Sequence, residues 1–415
     1  MNKRSKSIVY CLLFINMVLL VVETAKEALK NLRDEELWNV SDFLINYQAG
    51  FVRRGFLGEI LYQICEPLSL DPRYIIAPLC LITAGLLFFL IVRFFIKRHL
   101  CLWILPTLYV CGGADIIRKD CIMMLLVLCI FSSIPSLLRE NKKGLAIICL
   151  SLILLNVHEA SFFIFYPALA LCVLFGSPNK VPPAVKVAVI ALPLMMMATL
   201  CIFKGDLDYA NTITRSWTFA YPETYAQLTK ASSIAALSWK TLPTIGFHLH
   251  LNFSDWPAMP YAALFVRLLV IALILFLTVQ ISFVHWRNNP DFAAETRRFI
   301  LLSLLQLLAL SPLFTILSCD FRRICFYWTA SSFVAFFTLK DISPSLPVPE
   351  RLRHALDPVC NCLSRPINAL YPFTLLLCLG VPFWRNYPYD YMTPLLIRVY
   401  SRVVNLPAYL HQLFN

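Results

Sequence analysis

Long apolar runs recur along the chain, broken by brief polar turns, and their period is that of buried helices rather than of alternating strands. The runs are 8–22, 74–96, 99–111, 121–138, 144–157, 160–176, 187–203, 261–285, 299–318, 324–339 and 366–383. Several fall short of the ~20 residues a spanning helix needs, so their ends must take in some of the flanking polar residues. The pattern predicts an all-α protein: a polytopic transmembrane bundle of about eleven spans, 1–415 forming a single membrane domain. Outer loops are expected at 23–73 and 204–260, a cytoplasmic loop at 340–365 and an outer tail at 384–415.

The first run follows Lys3, Arg4 and Lys6 and resembles a signal peptide, but Glu23 and Lys26 stand where small residues would mark cleavage. It reads as a retained helix with the N-terminus in the cytoplasm. The short turns then placed inside, such as Arg93-Lys97-Arg98 and Arg139 to Lys143, are basic, as orientation by positive charge requires. Lys and Arg divide almost evenly between the two sides overall, so the orientation rests on the short loops, which weigh most. The location implied is a cell membrane, crossed several times.

Composition agrees with the runs. Of 415 residues, 59% are hydrophobic and 14% charged, and the mean hydropathy is +0.70. A soluble domain carries roughly 25% charged residues, so lipid must be the solvent of this chain. Nothing in it marks a nucleic-acid binder. Eleven glycines argue against a Gly-rich phosphate loop. The fifteen cysteines lie mostly in apolar runs, where they act as small hydrophobes, and Cys360 and Cys362 lack a second pair at zinc spacing. No metal site and no cofactor are expected, with the role of a divalent cation left open.

In this threading the unusual polar clusters all fall on the outer side. The first runs from Asp42 through Tyr47 and Gly50 to Arg53, Arg54 and Gly55. The glycines would let the backbone bend close to a ligand, and paired guanidinium groups suit a pyrophosphate, with anchoring to lipid phosphates the lesser alternative. The stretch 56–64 is too short to cross and would lie at the interface or re-enter. The second cluster is Asp115, Arg118, Lys119 and Asp120, either functional or a self-neutralising turn. The third, His158-Glu159, could relay a proton or simply pair with Arg118 or Arg322. The fourth is Asp320, Arg322 and Arg323. Recurrence of carboxylates beside guanidinium groups favours one shared anionic substrate. Aromatic residues of the second long loop, among them Trp217, Tyr221, Trp239, His248 and His250, suit an interface or sugar stacking.

In these residues the chain resembles a family. An acid after the first span, Tyr47-x-x-Gly-Phe-x-Arg-Arg-Gly55, the Arg118-x-Asp120 turn and His158-Glu159 before a Pro-containing span look like the multi-spanning, polyprenyl-lipid-dependent glycosyltransferases, including bacterial surface-polysaccharide (O-antigen and capsule) polymerases. The resemblance implies inverting sugar transfer from a polyprenyl-(di)phosphate donor to a glycan acceptor on the periplasmic face, with polysaccharide-assembly proteins as further partners. It implies Asp42 as base, with Glu159, His158 and Asp320 as rivals. Tyr47, Arg53, Arg54, Arg118, Lys119, Asp120, Arg322 and Arg323 would bind substrate. The paired acids common in the first outer loop of the metal-independent mannosyltransferase branches are missing. A lipid-linked oligosaccharide flippase and a non-catalytic envelope-assembly protein are the competing readings; a transporter would place charges at the midplane and show inverted halves.

Overall fold

The computed structural model describes residues 37–342, with breaks at 102–116, 176–180, 222–231 except Leu228, 254–259, 284–290 except Trp286, and 319, together with isolated positions between 350 and 361. The runs 8–22 and 366–383, most of 99–111 and the tail 384–415 lie outside the described residues.

The described residues are all-helical. In chain order the helices are α1 (Leu37–Phe43), α2 (Gly55–Leu68), α3 (Arg73–Lys97), α4 (Asp120–Glu140), α5 (Gly144–Val157), α6 (Ser161–Phe175), α7 (Pro183–Ile202), α8 (Leu207–Ser216), α9 (Thr241–Phe253), α10 (Pro260–Leu277), α11 (Phe292–Pro312) and α12 (Phe321–Ile342). A π-helical turn extends α10 over Thr278–Ser282 and another extends α11 over Leu313–Leu317. Among the described residues, four helices are long and apolar enough to cross a membrane: Arg73–Lys97, Asp120–Glu140, Pro183–Ile202 and Ala294–Leu317. Their window hydropathies, 2.2 to 2.8, reflect sequences with almost no charge between the ends.

The longer helices run between two ends of the bundle. At one end, Arg98 after α3 pairs with Asp341 at the close of α12, Arg139 of α4 donates to the Asp341 carbonyl at 2.6 Å, and Lys340 meets Glu295 of α11 at 2.9 Å. At the other end lie the start of α4, the α5–α6 turn, the end of α7 and the start of α12. An aromatic core fills the space between, with Phe283–Phe299 and Phe299–Phe333 ring centroids both 5.0 Å apart. Pro167 in α6 has no N–H for the Phe163 carbonyl four residues earlier. The Gln306 amide of α11 reaches that gap, donating to the Ile164 carbonyl at 2.8 Å and to that of Phe163 at 3.4 Å.

The two long loops expected outside are not loose. Their described parts build a second core from α1, α2, the start of α3, Ile117, α8 and the turn Ala235–Ser238. Trp217 is fully buried there and its indole donates to the Leu44 carbonyl at 2.7 Å. The Tyr221 hydroxyl bonds Asp71 at 3.0 Å, beneath the Arg73 guanidinium. These two rings are therefore packing residues rather than sugar platforms. Trp38 and Trp239 do face outward, as a pair 5.7 Å apart. The stretch 56–64 forms part of α2, which buries Gly58, Leu61 and Cys65 and turns Ile60, Ile64 and Leu68 outward. An amphipathic 14-residue helix is the form suited to lying at an interface.

Candidate functional site

Consecutive side chains normally diverge, yet Arg53 and Arg54 both reach Glu159. The reason is backbone geometry: Arg54 adopts the left-handed conformation, φ 66°, immediately before α2. The Arg53 N–H is tied to the Phe203 carbonyl at the end of α7, 3.0 Å away. A non-glycine residue is uncommon in that region of backbone space and is held there only by its surroundings. Gly50, φ 108°, makes the preceding bend. Gly55 does something other than bend: a Cβ there would strike the Tyr47 ring, so this glycine serves packing, not ligand approach.

Arg54 is saturated. Its Nε and Nη2 donate to Glu159 at 2.7 and 2.6 Å, and its Nη1 reaches Asp42 at 3.3 Å. Arg53 is held more loosely, by one 3.5 Å contact to Glu159, and its Nε has no hydrogen-bond partner. Lys119, 1% exposed, lies 3.6 Å from Asp42 and donates to the Arg54 carbonyl at 3.2 Å. That ammonium is sealed inside and fastens the left-handed turn to the start of α4. Burial pulls its pKa down, against the opposing pull of Asp42.

A second group adjoins the first through the Arg118-Lys119-Asp120 turn. Arg118 meets Asp320 at 3.3 Å, and Arg323 meets Asp320 at 3.2 Å and Asp120 at 3.6 Å. The Tyr327 hydroxyl donates to Asp120. Five described cations (Arg53, Arg54, Arg118, Lys119, Arg323) thus meet four carboxylates (Asp42, Asp120, Glu159, Asp320) at one end of the bundle. Asp320 has the most open carboxylate of the four, its side chain 39% exposed against 15% for Asp42 and Glu159. Arg322 begins α12 beside them, but its side chain lies outside the described ones. Tyr47 stands at the margin, stacked on Phe51, with its phenol pushed up to about 12 by burial and by Glu59.

The charges fix the protonation states. Burial resists ionisation of Asp42, but Lys119 and Arg54 outweigh it and hold the carboxyl down at about 2. Burial acts likewise on Glu159, where Arg54 above all keeps the carboxyl well below the usual range. Burial, seconded by Arg54, lowers His158 to about 3. Its imidazole is therefore neutral, Nδ1 accepts from the Ala160 N–H at 3.2 Å, and the 3.5 Å approach to Glu159 is not an ion pair. A general base works best with a pKa near the working pH. Asp42 and Glu159 are spent on holding arginines, and Nδ1 of His158 is already occupied. Among the described residues no three His, Cys, Asp or Glu side chains are grouped to hold a metal ion.

Two participants take roles that the sequence did not assign them. Tyr327, one turn beyond Arg323 on the same helix face, donates to Asp120. His248 reads from sequence as an interface or sugar-stacking aromatic, whereas its helix, α9, packs against the Leu313–Leu317 turn from a distant part of the chain. No family model matches the chain, and neither does any curated protein or solved structure.

Proposed function

We propose that this chain is an inverting glycosyltransferase or polymerase of the bacterial inner membrane, drawing a sugar from a polyprenyl-(di)phosphate donor on the periplasmic face to build a surface polysaccharide. The single observation that supports it is the meeting of four sequence-distant polar clusters in two adjoining groups of guanidinium–carboxylate pairs, joined through the Arg118-Lys119-Asp120 turn, at the end of helices apolar enough to cross a bilayer. Buried ionisable groups in a membrane are costly and mark functional cavities. Arg53, Arg118 and Arg323 are the cations for the departing phosphate, where planar donors stabilise developing charge. Arg54, Asp42, Glu159 and Lys119 form the frame that holds them. Asp320, the open carboxylate, shares the acid–base work.

The test is product formation with membrane insertion measured alongside. Arg53→Ala is expected to lower glycan product about 100-fold while the protein stays folded in the membrane. Arg54→Ala, which strands Glu159, is expected to lower the amount of folded protein instead. Full product from Arg53→Ala in folded protein would remove the phosphate-binding role.

A further inference from the structure

The charged groups leave a chemical problem: each of the four carboxylates is paired with a cation, and the one imidazole among them has Nδ1 occupied. The structure offers another imidazole. Helix α9 packs against the π-helical turn Leu313–Leu317, from which the chain runs through extended Ser318 to Asp320. Thr244, Ile245 and His248 share the covered face of α9, whereas Leu242, Phe247, Leu249 and His250 face outward. Enclosed on that face, Nδ1 of His248 has no hydrogen-bond partner. A buried polar atom left unpaired in a native fold calls for an explanation. Burial also keeps this imidazole below its ordinary pKa, hence neutral, while the charge of Asp320 pulls the other way.

The geometry points to an exchange of partners on substrate binding, in which an anionic phosphate displaces Asp320 from Arg118 and Arg323 and the freed carboxylate accepts from Nδ1–H of His248. This rests on the transferase reading and assigns that site its base. Both arginines hold Asp320 at hydrogen-bonding range, 3.2 and 3.3 Å, and a phosphate competes for the same planar donors. With Nδ1–H bonded to Asp320, Nε2 carries the free lone pair. Nε2 takes the proton of the acceptor hydroxyl as that oxygen bonds to the anomeric carbon. The bond from that carbon to the phosphate oxygen breaks, its electron pair leaving on the phosphate. Asp320 stabilises the imidazolium until its proton passes to water, the orienting role a carboxylate plays behind a catalytic imidazole.

Among the described residues, the charged groups that bear on His248 are Asp320 and, behind it, Arg118 and Arg323. The exchange is read without a sugar donor. The full chain in lipid nanodiscs is treated with diethyl pyrocarbonate across a pH series, with and without inorganic pyrophosphate, and modification at His248 is followed by mass spectrometry. Pyrophosphate is expected to raise the apparent pKa of His248 and slow its modification about threefold near the midpoint in the wild type, with no such change in Asp320→Asn. An equal change in both proteins would mean that the ion's own charge acts on the imidazole, and would overturn the exchange. Failure of pyrophosphate to bind or to alter His248 would overturn it too. Neither result decides the transferase reading, which the product assay of Arg53→Ala tests separately.

Discussion

At the scale of single residues, adjacency in sequence says little about role. Arg53 and Arg54 read alike as a phosphate-gripping pair, yet all three nitrogens of Arg54 are engaged and Arg53 keeps its Nε without a partner. Similarly, Lys119 reads as a substrate-binding cation in a polar turn but is sealed against Asp42 and Arg54. His158 gives the pH expectation. Its folded pKa, about 3, lies below the ~6.5 of the unfolded chain, so the unfolded state binds the extra proton. The stabilisation is complete above the unfolded value and is lost as pH falls toward the folded one. Below about pH 6.5 the loss is expected to approach 1.4 kcal/mol per pH unit. Thermal unfolding of the purified protein between pH 7 and 5 checks this. His158→Asn should flatten the dependence, and an unchanged slope would assign it to other groups.

At the scale of elements, the spans are helices that tolerate their prolines because neighbours supply what is missing. The clearest case is Gln306 of α11 standing across from Pro167 of α6. Gln306→Leu should leave the Phe163 carbonyl unbonded and cost about 1–3 kcal/mol. Pro167→Ala restores a backbone N–H to the Phe163 carbonyl, so the same substitution should cost less in that background. A double-mutant cycle on thermal unfolding in detergent measures the coupling; independent effects would mean that the amide does not repair the proline gap. The length of α5 and α6 matters as well. At 14 and 15 residues they rise only about 21 and 22 Å, less than the ~30 Å hydrocarbon thickness. The Arg54 side chain reaches the turn between them at Glu159.

At the scale of the whole molecule, the two ends of the bundle differ. One is stitched by Arg98–Asp341 and Lys340–Glu295, with Lys340 also 4.4 Å over the Trp286 ring. The other carries the charged network, capped by the second core. A chain threaded with the network outward should expose Asp320→Cys to an impermeant maleimide applied to intact cells. Lys142→Cys, at a side chain 72% exposed on the opposite end, should label only after permeabilisation. The reverse pattern would invert the topology and move the proposed transfer to the cytoplasmic face.

The helical, membrane-crossing character of this chain was legible in its hydrophobic pattern, because burying a backbone in lipid leaves little choice but the helix. So were the ends of most described helices, and the four polar clusters, since charges stand out against an apolar background. What linear order could not hold was the division of labour among those charges. It depends on the left-handed turn at Arg54, which turns neighbouring arginines to one carboxylate, and on α9, which brings His248 to the segment leading to Asp320. It also depends on the second core, where Trp217 and Tyr221 became packing because α8 folds onto α1 and α2. Hydrophobic periodicity is a local property and survives reading one residue at a time. The pairing of a guanidinium with one carboxylate rather than another is fixed by distances between remote segments, and only the tertiary structure sets those.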